Sequence, residues 1–111
     1  MKVREASDKI GLRLLVGADG MDKELGGAYI CDLLSWVMSH GKKNDAWITV
    51  QTHSNIIAVA ELLELSCIIV PESIEVEEDT LKKADAEGIA VFQSDLSAFE
   101  LAKELYKMGI E

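Results

Sequence analysis

The segment of this sequence best equipped for chemistry is the polar run Gln51–Asn55, which follows an apolar, β-rich stretch. It places hydroxyl, amide and imidazole groups side by side, and His53 is its one side chain that titrates near neutral pH. Together, residues 52–55 suit recognition of an anion or of a sugar hydroxyl. The alternative is that Thr52 or Ser54 caps a following helix while the other side chains face water.

Two further polar segments, 71–73 and 93–95, also follow apolar runs. In open parallel sheets, ligands bind beyond the carboxyl ends of the strands. We therefore expect Ser94 and Asp95 to line the same ligand site as the Gln51–Asn55 segment. A minor alternative is a small enzyme in which His53 and either Glu72 or Asp95 form an acid–base pair.

The motifs of common cofactor and metal enzymes are missing. No phosphate-binding GxxxxGK[ST] loop, dinucleotide GxGxxG or nucleophile elbow GxSxG occurs. His40, His53, Cys31 and Cys67 lack zinc-ligand spacing. The acidic run 72–79 lacks the alternating oxygen pattern of a calcium loop. We expect no cofactor, no metal site and no catalytic residue, and predict that the chain is not an enzyme.

Composition disfavours several other classes of protein. A net charge of −9 repels polyanions, so nucleic-acid binding is not expected. The charged N-terminus does not resemble a signal peptide, and no apolar run is long enough for a membrane span. Cys31 and Cys67 lie in apolar runs and are expected to be reduced thiols, although a bridge between them stays open. These features predict a cytoplasmic protein.

Strands and helices alternate along the chain and would position these polar segments. The expected strands are 12–16, 28–31, 46–50, 67–70 and 89–92; the expected helices are 2–9, 33–38, 56–65, one ending near Glu87, and one that starts after Ser97. Glu100 follows Ser97 at capping-box spacing. Residues 17–27, rich in glycine, are expected to form a loop. The pattern predicts one α/β domain, residues 1–111, with three layers and a mostly parallel sheet of about five strands.

A second candidate surface lies on the segment 33–38, which is apolar nearly all round. One apolar stripe is enough for a helix that covers a sheet, so the excess predicts a self-association surface. Its residues are Leu34, Trp36, Val37 and Met38. The alternative is that Trp36 fills the core of a small domain.

Three blocks of the sequence resemble the DRTGG domain family. They are residues 26–38 (GGAYICDLLSWVM), residues 45–53 (DAWITVQTH) followed by 55–56 (NI), and residues 95–102 (DLSAFELA). In place of the family's Asp-Arg-Thr-Gly-Gly, residues 22–27 read DKELGG, which keeps the two glycines but not the Arg-Thr. We expect Lys23 to substitute only in part for the missing arginine in any contact with an anion. The family is similar to the N-terminal domain of HPr kinase/phosphorylase and occurs beside CBS domains in regulated pyrophosphatases.

The resemblance implies a three-layer fold, a regulatory or oligomerising role, and usually a dimer. Our leading expectation is a non-enzymatic, homodimeric regulatory module that binds a nucleotide or another small anion. The ligand would lie between Lys23, Gly26 and Gly27 on one side and the Gln51–Asn55 segment on the other. The alternative is an interaction domain without a small ligand, which docks on a partner enzyme through Trp36 and Met38.

Overall fold

A computed structural model describes all 111 residues as five strands and five α-helices around one sheet. The strands are β1 (Arg13–Val16), β2 (Gly27–Ile30), β3 (Asp45–Ile48), β4 (Cys67–Val70) and β5 (Val91–Gln93). The helices are α1 (Val3–Ile10), α2 (Leu34–His40), α3 (Asn55–Leu63), α4 (Glu78–Ala86) and α5 (Ala98–Lys107). The longest helix has 10 residues, and none combines the length and hydropathy needed to span a bilayer.

The sheet has the strand order β1-β5-β4-β3-β2. β2, β3, β4 and β5 are parallel, whereas β1 pairs antiparallel with β5 and is irregular between Leu14 and Val16. The predicted class, an α/β fold with a mostly parallel five-stranded sheet and flanking helices, is therefore confirmed. One consequence decides the location of every loop: because β1 runs against the others, its first residues lie beside the carboxyl ends of the parallel strands.

Two apolar clusters fill the space on the two faces of the sheet. Successive strand residues point to opposite faces, so Trp47 joins one cluster while Ala46 and Ile48 join the other. Residues of α2, α3 and α4 complete the cluster that contains Trp47, and residues of α1 and α5 complete the other. All four residues of β4 are buried, as expected for a central strand covered by helices on both faces.

Residues 17–26 run along the amino ends of the strands and connect the two outer strands. Gly17 has φ +84°, and a Cβ there would overlap the carbonyl oxygen of Ile89. A Cβ on Gly20 would lie 2.7 Å from the carbonyl oxygen of Gly88. These glycines allow the segment to lie directly on the backbone that leads into β5, so the segment, which contains the 3₁₀ turn Ala18–Gly20, is part of the packed fold.

Two local predictions about α5 and β3 have different outcomes. The capping box at the start of α5 is confirmed: Ser97 Oγ accepts from the Glu100 amide at 3.2 Å, and the Glu100 carboxylate accepts from the Ser97 amide at 3.1 Å. β3 begins one residue early and ends two residues early relative to 46–50. The Thr49 amide still donates to the Ile69 carbonyl oxygen at 3.2 Å, but the Val50 amide donates to a side chain from the loop after β2, which ends the pairing with β4.

Candidate functional site at the carboxyl end of the sheet

Asp32 organises the loops that follow β2 and β3. Its Oδ1 accepts from Thr49 Oγ1 and from the Val50 amide, both at 2.9 Å. Gln51 donates from Nε2 to the Asp32 carbonyl oxygen at 3.0 Å. β2 and β3 are parallel neighbours, so their carboxyl ends meet and these bonds hold the two loops together. Sequence reasoning missed Asp32, although an isolated acidic residue directly after a strand is a signal that would have found it.

The predicted segment Gln51–Asn55 forms the turn between β3 and α3. Neither Thr52 nor Ser54 caps the helix with its side chain; instead His53 Nδ1 accepts from the Asn55 amide at 3.2 Å. The backbone of Thr52 is fixed by α4, because the buried Thr80 hydroxyl donates to the Thr52 carbonyl oxygen at 2.6 Å. The expected threonine or serine cap is therefore wrong, and the His53 imidazole caps the start of α3 through its Nδ1.

A second group of polar side chains joins the loops that follow β4 and β5. Asp95 accepts from Arg13 Nη2 at 2.8 Å and also from the Ser73 hydroxyl. The hydrogen bond from Arg13, followed by that from Ser73, lowers the pKa of Asp95 below its usual value. Arg13 reaches this end of the sheet because β1 is antiparallel to β5. Glu72 and Ser73 have positive φ values of 57° and 56°, a strained conformation at the end of the central strand.

The acid–base pair considered for a small enzyme is not formed. Asp95 is engaged with Arg13 and Ser73, and the His53 ring is engaged with the Asn55 amide. Neither Glu72 nor Asp95 is hydrogen-bonded to His53. Buried Ser94 turns inward, where its Oγ accepts from the Leu96 amide at 3.1 Å. Ser94 thus shapes the loop after β5 and presents no group to a ligand.

The expectation of one site shared by the glycine pair and the Gln51–Asn55 segment is wrong. Gly27 is the first residue of β2 and pairs with Asp45, the first residue of β3, so both lie at the amino ends of the strands. The Gly26 amide donates to the Asn44 carbonyl oxygen at 2.9 Å, so this amide is used within the fold. A Cβ on Gly27 would lie 2.6 Å from Asp45 Oδ1. Gly27 serves close packing, and both glycines lie at the opposite end of the sheet from His53.

Lys23 also lies at the amino end, at the rim of a pocket of about 360 Å³. Two lysines and four glutamates line this pocket: Lys23, Lys43, Glu24, Glu61, Glu64 and Glu87. Lys43 is paired with Glu64 at 3.5 Å. A hydrogen bond to Glu87 and the charge of that carboxylate raise the pKa of Glu61. The excess of carboxylates makes this pocket unsuitable for an anionic ligand.

The predicted surface on α2 is divided between core and solvent. Val37 is fully buried and Leu34 is partly buried, so Val37 cannot belong to a surface and its prediction is corrected. Trp36 and Met38 are 51% and 47% exposed. Trp36 therefore does not fill the core, and Trp47, which donates from Nε1 to the Cys31 carbonyl oxygen at 2.8 Å, fills it instead.

Both cysteines are free thiols, as expected, because they belong to different strand ends and are not bonded to each other. Burial raises the pKa of the Cys67 thiol to about 12, so Cys67 behaves as an inert core residue. Cys31 is half-buried at the end of β2. No group of three or more His, Cys, Asp or Glu side chains is arranged to hold a metal ion.

The topology and loops define a three-layer α/β domain with its polar loops gathered at the carboxyl ends of four parallel strands. No family model matches the chain, and no curated protein matches it. A solved structure that it resembles is that of the CBS and DRTGG domains of the regulatory region of Clostridium perfringens pyrophosphatase, complexed with its activator diadenosine tetraphosphate. The TM-score is 0.70 and the sequence identity 13%, over 94% of this chain and 45% of that chain.

This likeness establishes a shared fold, which extends over almost the whole chain. At 13% identity it does not carry the ligand or the assembly of the pyrophosphatase over to this protein. The chain spans less than half the length of the chain it resembles. Function must therefore be argued from this chain's own loops.

Proposed function

We propose that this chain is a regulatory module, a single domain of residues 1–111, which binds a nucleotide or another small anion and catalyses no reaction itself. The shared fold supports the proposal, because the chain resembles 45% of a pyrophosphatase regulatory region whose structure was solved with a nucleotide activator. The free thiols suit a reducing compartment such as the cytoplasm. The regulated enzyme would be a separate chain, met in trans.

The observation that carries the proposal is a set of unused polar atoms in the two loops held together by Asp32. Four groups have no hydrogen-bond partner within the chain: Asp32 Oδ2, Gln51 Oε1, His53 Nε2 and the Asn55 carboxamide. In Asp32, Gln51 and His53, the other polar atom of the same side chain makes a hydrogen bond that fixes the loops. By contrast, the Arg13–Asp95–Ser73 group satisfies its own charges. Fixed loops with unpaired outer atoms are suited to ligand binding because they lose little freedom when a ligand arrives.

The chemistry of these atoms fits the parts of a nucleotide. Asp32 and Gln51 offer acceptors for ribose hydroxyls, as carboxylates after sheet strands do in dinucleotide-binding folds. Leu33 and Val50, the neighbours of this pair, are 62% and 43% exposed and provide apolar contact for a base. Because His53 Nδ1 accepts from the Asn55 amide, its Nε2 carries the proton and can donate a hydrogen bond to a phosphate oxygen. The other acidic side chains at this end limit the number of phosphates that can be accommodated.

Thermal unfolding with a panel of nucleotides, phosphorylated metabolites and divalent cations tests the proposal. A ligand at one hundred times its dissociation constant adds about 2.7 kcal/mol, which raises the Tm of a domain this size by several degrees. Gln51→Ala and His53→Ala should each reduce the shift, because both side chains are exposed and contribute unused atoms. Lys23→Ala, at the other end of the sheet, is the matched control and should leave the shift unchanged. The absence of any shift with any compound contradicts the proposal.

A second candidate function is a protein-interaction domain that docks on a partner enzyme without a small ligand. The exposed apolar side chains Trp36 and Met38 favour it, because large apolar groups in one place at a protein surface mark contact sites. Pull-down with candidate enzymes should be lost in Trp36→Asp and retained in His53→Ala. Equal capture by both variants rules out this surface.

A further inference from the structure

The two outer strands of the sheet differ in how their free edges are protected. β1 contains a register shift between Leu14 and Val16, carries the charged Arg13 and is packed against α4. These are common ways of preventing an edge strand from pairing with another chain. β2 has no charged residue and pairs in regular register with β3 along its whole length. Its free edge therefore has the geometry of a strand that can accept a further strand.

The hydrogen bonds of the β3 segment show which backbone groups of β2 face this free edge. The Thr49 amide donates to β4, so alternation along the strand directs the backbone groups of Ile48 towards β2. In a parallel pair, the residue opposite such a residue turns its own backbone groups outward, and Ile30 lies opposite Ile48. Ala28, two residues earlier, has the same orientation. None of the hydrogen bonds made outside the helices and strands involves the backbone of Ala28 or Ile30, so their amides and carbonyl oxygens are free to pair with an added strand.

Apolar side chains lie beside these free backbone groups. Ile30 itself is 48% exposed. In α2, Val37 faces the sheet and Gly41 lies against α3, so Trp36 on the opposite flank of the helix points away from α3 and towards the free edge of β2. The rings of Trp36 and His40 stack with centroids 4.0 Å apart, which holds the indole in place. An added strand would direct every second side chain towards this indole.

The two ends of the same edge are acidic. Asp32 follows β2 at its carboxyl end, and Glu111 lies at its amino end, where a Cβ on Gly27 would be 3.3 Å from the Glu111 carbonyl oxygen. Both acidic side chains are exposed, and all the salt bridges of the chain are formed by other residues. Residues 25–41, which include β2 and α2, contain no lysine or arginine. The edge therefore complements a strand with basic ends, and the net charge of −9 attracts such a partner.

We propose that the β2 edge accepts an extended, basic segment of another protein as a sixth strand of the sheet. The segment has a run as long as β2 in which apolar side chains alternate, with Lys or Arg on both sides of that run. Its backbone pairs with Ala28 and Ile30, its apolar side chains contact Trp36, and its basic ends approach Asp32 and Glu111. Such a segment gives the partner in the second candidate function a defined chemistry, and its binding requires no small ligand.

A second copy of this chain is a poorer occupant of the same edge. Two antiparallel β2 strands would bring Asp32 of one copy beside Glu111 of the other. β2 and α2 of either copy hold no lysine or arginine to offset these charges. Like charges brought together across a strand pair oppose the pairing, and an acidic peptide is disfavoured for the same reason.

Selection from a phage-displayed library of random peptides, with the immobilised natural chain as target, tests the proposal. The enriched peptides should contain an alternating apolar run with Lys or Arg on both sides. In the most enriched peptide, replacement of the basic residues by glutamate should weaken binding by roughly tenfold or more, as measured by fluorescence anisotropy. No enrichment, or enrichment of acidic peptides, would overturn the proposal.

Substitutions at Ile30 test whether the strand edge is what binds the selected peptide. Ile30→Pro removes an amide that has no partner within the chain, so the variant should fold, which circular dichroism checks. It should nevertheless weaken binding by roughly tenfold, because the peptide loses a backbone hydrogen bond and meets the proline ring. Ile30→Val keeps the amide and is the matched control, which should bind like the natural chain. Equal binding by the two variants contradicts pairing at this edge.

N-methylation of the selected peptide gives a readout that leaves the protein unchanged. Methyl groups on one alternate set of backbone amides should abolish binding, whereas methyl groups on the intervening amides should not, because only every second amide of an added strand faces β2. Equal effects of the two sets would show that the peptide does not bind as a strand and would overturn the proposal.

Sedimentation equilibrium without peptide identifies the competing occupant. The natural chain and Ile30→Pro should have the same mass. A natural chain that is dimeric, together with an Ile30→Pro variant that is monomeric, would assign the edge to a second copy and overturn the proposal. Gln51→Ala and His53→Ala should bind the selected peptide like the natural chain. No nucleotide is present in these measurements, so their failure is distinguishable from failure of the proposed ligand site.

Discussion

The two ends of the sheet are built in different ways. At the amino ends, residues 17–27 lie directly on the strands: Gly17 and Gly20 permit close contact with the backbone of Ile89 and Gly88, and Gly27 permits close contact with the Asp45 carboxylate. At the carboxyl ends, loops are joined by side chains such as Asp32 and Asp95, and several polar atoms stay unpaired. A close contact between two backbone segments leaves no room for an added Cβ, whereas a side chain that joins two loops can be replaced by another side chain. The comparison indicates that the amino end supplies stability and the carboxyl end is available for function.

The largest effect is expected at Gly17. Gly17→Ala should lower the free energy of unfolding by about 3 kcal/mol or more, because the residue has a positive φ and its Cβ would overlap the Ile89 carbonyl. Gly11→Ala is the matched control: Gly11 has φ +74° with no atom near its Cβ, so only about 1 kcal/mol should be lost. Urea unfolding followed by circular dichroism measures both. Equal losses would show that the close approach at Gly17 carries no cost of its own.

The glycine pair allows the same comparison within one dipeptide. Gly27→Ala places its Cβ 2.6 Å from Asp45 Oδ1 and should cost about 1–3 kcal/mol, since the carboxylate must move from the Lys42 amide it accepts from. Gly26→Ala meets nothing closer than 3.5 Å and should be nearly neutral. Neither substitution should change a ligand-induced Tm shift expressed relative to its own unliganded protein. If the Gly26→Ala variant folds normally but loses that Tm shift, the ligand binds at the amino end of the sheet and not at the carboxyl end.

At the carboxyl end, Asp32→Ala should cost about 1–2 kcal/mol, because it removes the acceptor for Thr49 and Val50. It should also abolish the ligand-induced Tm shift, since the loops that follow β2 and β3 lose their connection. Asp32→Asn keeps an acceptor oxygen at the same position and should recover most of the stability. An undiminished ligand-induced Tm shift in Asp32→Ala would show that Asp32 is not part of the ligand site.

The smallest effect concerns the pocket at the amino end. The pKa of Glu61 is raised, first by its hydrogen bond to Glu87, so the folded chain binds a proton more readily than the unfolded chain. Stability therefore increases as the pH falls through the raised pKa and decreases as the pH rises through it. Glu61→Gln should be slightly more stable than the natural chain at pH 7.

The advantage of Glu61→Gln should shrink as the pH is lowered towards the unfolded carboxyl pKa of about 4.3. Thermal unfolding across this range measures the difference between the two proteins. Glu78→Gln is the control, because Glu78 is exposed and paired with Lys82 at 3.5 Å, so its removal should not stabilise the fold at neutral pH. A difference between Glu61→Gln and the natural chain that is independent of pH would exclude proton sharing between Glu61 and Glu87.

Much of the fold could be predicted because it depends on patterns within short segments. The sequence predicted both ends of β4, Cys67–Val70, correctly, and the Ser97–Glu100 spacing predicted where α5 begins. Helix and strand periodicity act over neighbouring residues, so they are visible without a partner segment. Strand order beyond neighbours, and the reversed direction of β1, depend on contacts far apart in sequence, as between Arg13 and Gln93.

The candidate site was predicted only in part for the same reason. Gln51 and His53 were expected at the carboxyl end because they directly follow a strand. Gly26 and Gly27 were assigned to the same site on their residue type, which does not reveal whether a loop enters or leaves a strand. Asp32 and Arg13 were missed because their roles arise from contact with loops on other strands.

The sequence by itself determined the class of fold, the alternation of strands with helices, and the polar character of the loops, because hydrophobic periodicity and caps are local properties. Only the tertiary structure decided which loops share an end of the sheet, which tryptophan is buried, and which outer strand runs against the others. These are properties of strand order and direction. They are fixed by the burial of two apolar clusters on opposite faces of one sheet, which no single segment contains.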